Sequence, residues 1–244
     1  MKKQLNNFKD SFKLNTDFLQ IYIYDLLFYA IILPSLFFVQ RLLSKRTSNL
    51  DLASIQDLAS QSPAQISMVT AQLNSFMAVF IASVVFMIIL VLAAWSLSRG
   101  LIYTKIMKKK FNIKYFLKFM LLNLILGVIF LLLLASFSVF IKISSFKILL
   151  VISALITVYL WAFTYIYFTK KNEIFYAIGK AVQAAPKIKT LFIPCLLILA
   201  VFIILTAVFS LLRITLSPYI ALLILALFLT WARLYFVPEA EKIL

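Results

Sequence analysis

The sequence predicts an all-α fold, a polytopic transmembrane helical bundle with six spans. Three observations predict it. Of 244 residues, 64% are hydrophobic and 13% charged, with a mean hydropathy of +1.06, against about 45–50% apolar and about 25% charged in soluble domains. The apolar residues gather in runs of about 20, the length that crosses a hydrocarbon core of about 30 Å. The basic residues lie almost entirely between and beside those runs. So large an apolar excess cannot be hidden inside one globule and must face lipid, and the 24 Phe suit that surface. Barrel strands would be about 9–11 residues of alternating polarity, which these runs are not.

The first span covers 18–39. It is too long for the apolar region of a signal peptide and no small-residue cleavage site follows it, so it is expected to be retained. The second covers 76–97, the third 118–141, the fourth 146–169, the fifth 191–212 and the sixth 218–237, and the whole of 1–244 reads as a single transmembrane domain. Pro34 lies near the outer end of its span and Pro194 in the first turn of its own, so neither breaks a helix at mid-depth.

Orientation follows from the Lys and Arg count. The N-terminal arm, the loops 98–118 and 170–190 and the C-terminal end carry 18 of them, and the opposite side carries 6. Cytoplasmic loops hold the basic excess. Both termini are therefore expected in the cytoplasm of a multi-pass protein of the cell membrane. The one long external segment, 40–75, holds two helix signals. Ser48 before Asp51 resembles a capping box, with Leu52, Ile55, Leu58 and Ala59 as an apolar stripe behind it. Ser62-Pro63-Ala64-Gln65 reads as an N-cap, a proline at the first helical position and a polar third residue, so a break is expected near Ser62 with the second span extended outward from about Ala64.

The three tryptophans, Trp95, Trp161 and Trp231, each sit near the cytoplasmic end of an even-numbered span. Four residues on stand Arg99, Tyr165 and Tyr235. Loosely similar basic segments, at 12–16, 111–115 and 186–190, lead into the odd-numbered spans. The pattern predicts three repeats, each a cytoplasmic amphipathic helix followed by a transmembrane hairpin. Belt anchoring of aromatics at the interface would place the three Trp at one depth without any repeat.

What is missing limits the chemistry. There is no histidine, which removes histidine acid–base catalysis and every His-containing metal site. A single Cys195 allows neither an intramolecular disulfide nor a cysteine metal cage. No glycine-rich phosphate loop occurs, and Gly127 is the one glycine within a span. A net charge of +16 suits nucleic-acid binding in a soluble protein. Here topology explains it, and Lys outnumbers Arg by 19 to 5 although Arg is the usual reader of bases. No catalytic residue, cofactor, metal or nucleic-acid partner is expected.

Asp25 is the one acidic residue within a span, about 10 Å inside the cytoplasmic boundary at 1.5 Å per residue. Arg233 lies about 6 Å inside the same boundary. A lone charge in lipid costs several kcal/mol unless paired, so the first and last spans are expected to be neighbours joined by Asp25 and Arg233. Asn123 and Thr230, at comparable depth, either complete a polar cluster with Arg99 or make single interhelical hydrogen bonds. The cluster reads as a packing pair that sets helix register, or as a proton- or ion-coupling site. The segments 99–115 and 171–189 mix Lys with apolar residues. In the second, Ile174, Ala177, Ile178, Ala181 and Ala184 or Ala185 share a helical face. Such helices are expected in the headgroup region, where anionic lipid attracts them.

The stretch from Glu173-Ile174-Phe175-Tyr176-Ala177-Ile178-Gly179-Lys180 to Lys189, and Trp231-Ala232-Arg233-Leu234-Tyr235-Phe236-Val237-Pro238, resemble a loose group of prokaryotic membrane families. These include the YciC-type proteins and the membrane domain attached to some glycerophosphodiester phosphodiesterases. The resemblance implies six helices with a helix before each hairpin, and transfers no catalytic residue. A serine that usually opens the helix before the fifth span in those families has no clear counterpart here. The reading is an integral membrane protein with a non-enzymatic role in helix packing, lipid contact or partner binding. The alternative is a small transporter or channel component built around Asp25.

Overall fold

The computed structural model describes residues 8, 11, 16–48, 62–140, 143–184, 186, 188–211 and 217–242. These residues form seven helices and no strand: α1 (Thr16–Thr47), α2 (Pro63–Ile106), α3 (Ile113–Phe140), α4 (Ile143–Lys171), α5 (Ile174–Ala184), α6 (Ile188–Leu211) and α7 (Pro218–Glu241). Among them α1, α2, α3, α6 and α7 are long and apolar enough to cross a membrane. Many of their large apolar side chains stay outward, as at Leu131, Leu132 and Ile204, which suits a hydrocarbon surround.

The helix ends follow from local chemistry. Ser62 caps α2: its hydroxyl accepts from Gln65 N at 3.5 Å, and Gln65 Oε1 accepts from Ser62 N at 3.0 Å. This is the reciprocal capping box. At the other end of α2, Lys108 takes a left-handed φ of 52° and Lys109 N reaches back to Thr104 O at 2.8 Å. Asn112 then caps α3 through Tyr115 N at 2.8 Å. Gly100 lets that corner close, since a Cβ there would meet the Phe111 ring at 3.0 Å. Asp17 in the first turn of α1 and Lys45 and Arg46 in its last complement the helix dipole.

Within 40–75 the described residues are helical at 40–47 and 63–75, because α1 runs on to Thr47 and α2, extended outward as the Ser62 motif predicts, begins at Pro63. At 44 residues and 1.5 Å each, α2 is about 66 Å long, twice a hydrocarbon core. The short helix expected after Ser48 falls at 49–61, outside the described residues, as does most of the N-terminal arm. The segment 99–115 is not a helix of its own: it is the end of α2, a turn and the start of α3. No proline stands between the apolar run and Ile106 and Gly100 does not end the helix, so the α2 hydrogen-bond ladder continues past the apolar run.

The segment 171–189 does form a separate helix, α5, and buries the predicted alanines, Ala177, Ala181 and Ala184. It does so against protein. Asn172, with φ 58°, reverses the chain, and Asn172 N bonds Phe168 O at 2.6 Å. Tyr176 then meets Tyr167, and further along Ala181 and Val182 share a cleft with Thr157, Trp161 and Thr164. So α5 folds back along α4, and its small side chains let the two backbones approach.

The described residues divide into two compact units, one of residues up to Leu26 and from Ser96 onward, the other Leu27–Trp95. The larger unit has an aromatic core. Phe119 of α3 lies 4.8 Å from the Tyr165 ring and 5.5 Å from Phe168 on α4, and Tyr103 of α2 lies 5.2 Å from Tyr165. Tyr115 and Thr169 join their hydroxyls at 2.9 Å, so the buried polar tips are bonded. The smaller unit is made of the α1 and α2 segments, with Phe28 edge-on to Trp95 at 5.5 Å and Ser83 buried.

Candidate functional site

Asp25 is 1% exposed and organises a polar cluster in the larger unit. Its Oδ1 accepts from Arg99 Nη1 on α2, and its Oδ2 accepts from Arg233 Nη1 on α7. Oδ2 also accepts from the Thr230 hydroxyl at 2.8 Å. Thr230 and Arg233 are three residues apart on α7, so one helical face presents both. On the hairpin side, Ser98 donates to Tyr24 O at 2.7 Å, and Lys105 pairs with Asp17 at 2.9 Å. Rising numbers on α1 meet falling numbers on α2, so the two helices pack antiparallel through the cluster. One carboxylate thereby ties three helices.

The expected Asp25–Arg233 pair is present, and Thr230 and Arg99 join it. Asn123 does not. It donates to Ser96 at 2.9 Å and accepts from the Tyr165 hydroxyl, linking α3 to α2 and α4. Of its two expected roles, Asn123 takes the interhelical hydrogen bond.

The tryptophans pack on aromatic partners. Trp95 meets Phe28, and Trp161 lies 6.3 Å from Phe130. Trp231 stacks on Tyr235 at 6.1 Å, takes Phe8 on its edge and donates from Nε1 to Ser11 Oγ at 3.0 Å. The residues four further on, Arg99, Tyr165 and Tyr235, are all buried. Ser11, Ser96, Ser98 and Tyr165 complete these contacts without having been singled out for them by sequence. Serine is too common to stand out, and only Tyr165's place after Trp161 marked it.

A cleft of about 110 Å³ lies between α3, α4 and α5, lined by Leu126, Phe130, Leu133, Trp161 and Ala181 among others, with no charged side chain in its wall. Among the described residues, no group of three His, Cys, Asp or Glu converges to hold a metal. The part-buried Cys195 is a free thiol. Comparison with family models, curated proteins and solved structures finds no match for this chain.

Proposed function

We propose that the protein is a non-enzymatic integral membrane protein whose inner-side charges lock its helices together, leaving its outer surface for lipid or a partner. The carrying observation is the state of Asp25. Both its oxygens are occupied by donors from two other helices while the residue is 1% exposed. A carboxylate used this way is a tie, and to act as a proton or ion carrier it would have to give up these bonds first. The six apolar runs support six crossings, with α4 as the sixth. The charge bias of 18 against 6 supports both ends in the cytoplasm of a cell-membrane protein. Three hairpin repeats and kinship with the YciC-type families belong to the same reading. The burial of Arg99, Tyr165 and Tyr235 at equal spacing after each Trp supports the repeat, and α5 supplies one of its three preceding helices.

The test neutralises the whole cluster. Removing one partner leaves a buried charge unpaired, which costs about 3–5 kcal/mol, whereas replacing a buried ionic triad by apolar groups of similar volume is often neutral or stabilising. Asp25→Leu alone is expected to abolish folded yield in detergent. Asp25→Leu with Arg99→Met and Arg233→Met is expected to restore it. A triple variant no better than the single one sinks the packing role. Proton or ion flux through liposomes that carry the wild type and not the stable triple variant would favour the transporter alternative instead.

A further inference from the structure

Arg233 is the open member of the cluster. Its side chain keeps 16% exposure, against 4% for Arg99 and 1% for Asp25. A guanidinium carries five N–H donors in a planar fork. Arg233 commits Nη1 to Asp25 Oδ2, an acceptor it shares with Thr230. Three other described carboxylates of α1 and α7 pair with lysines: Glu239 with Lys242 at 2.6 Å, Glu241 with Lys170 at 3.5 Å and Asp17 with Lys105 at 2.9 Å. Among the described residues, then, one half-shared oxygen answers the Arg233 charge. In or beside hydrocarbon a guanidinium draws in an oxyanion or reaches for the headgroups, because the uncompensated charge is costly there. Phosphate is the oxyanion of that layer, and the guanidinium fork matches its two-point geometry.

We propose that the open edge of Arg233, with Asp25 holding the opposite edge, binds a phosphate oxyanion. A phospholipid headgroup or free phosphate would present the same chemistry. The proposal rests on the inner-side placement of Arg233 in the reading above, and not on whether the cluster is needed for folding.

The experiment uses the full chain in nanodiscs of phosphatidylcholine, of phosphatidylcholine with phosphatidylglycerol, and of phosphatidylcholine with added inorganic phosphate. Native mass spectrometry reads the ligand retained, and the melting temperature is taken in each. Phosphatidylcholine carries the same phosphate, but its own choline already neutralises it, so the wild type is expected to retain phosphatidylglycerol over phosphatidylcholine, or a phosphate adduct, and the arm that gives retention identifies the source. Arg233→Lys keeps a cation for Asp25 and loses the fork, so it is expected to fold and to retain the ligand about tenfold less, the equivalent of one charge-assisted hydrogen bond. Equal retention by the two chains overturns the proposal. So does a wild type with no preference for phosphatidylglycerol and no phosphate adduct, a measurement that stands even if the variant fails to fold. The packing role is read separately, from the melting temperature of the neutralised triple variant.

Discussion

At the scale of single residues, Asp25 and Asn123 divide the buried polar work of the larger unit. Charges inside apolar runs are scarce, and that scarcity made Asp25 and Arg233 visible as a pair before any contact was known. Arg99 was harder to place, because it sits among six lysines of one basic segment and reads as topology. Its neighbours on α2 explain its role: Ser98 and Tyr103 bracket it on a buried face. Asn123 bonds both Ser96 and Tyr165, so Asn123→Leu leaves two buried partners unsatisfied. The expected loss is about 1–3 kcal/mol, whereas Ser96→Ala should cost about 0.6 kcal/mol, the mean for interhelical bonds in a membrane protein. Denaturant titration of both variants in detergent checks the order. An Asn123→Leu variant no weaker than Ser96→Ala would mean that the Tyr165 bond contributes nothing.

At the scale of elements, helix starts were more legible than helix partners. Ser62, Pro63 and Gln65 form a local motif whose chemistry closes within four residues, and α2 begins where that motif says. The C-terminal end of α2 was misplaced, because hydropathy marks where lipid should stop and not where a hydrogen-bond ladder stops. The ladder runs on to the left-handed Lys108. The α5 face was read correctly as apolar, yet its periodicity is the same whether lipid or α4 covers it. Only the reversal at Asn172 and the alanine contacts select α4. Ala181 is 1% exposed in that contact. Ala181→Leu should therefore overpack the α4–α5 hairpin at a cost of about 1–3 kcal/mol, with Phe175→Leu, on the exposed side, nearly silent. Equal melting temperatures for the two would place α5 away from α4.

At the scale of the whole molecule, the testable statement is orientation. After replacement of Cys195 by serine, a cysteine at Lys109, in the α2–α3 connection, is expected to react with a membrane-impermeant maleimide only once cells are opened. A cysteine at Ser62, at the start of α2, should react in intact cells. Reversed labelling would invert the proposed topology while leaving every helix contact in place.

The sequence by itself determined that this chain is helical, apolar enough for a membrane, and without histidine or a cysteine cage. Those properties are sums over residues or local patterns, and need no knowledge of which helix lies beside which. It also named Asp25 and Arg233 as partners, because an isolated charge in hydrocarbon leaves few alternatives. Only the tertiary structure decided that Arg99 completes the cluster, that Asn123 serves a different set of helices, and that α5 lies against α4. These depend on contacts between residues from 9 to 74 positions apart. A helix with an apolar face carries the same pattern whatever finally covers it.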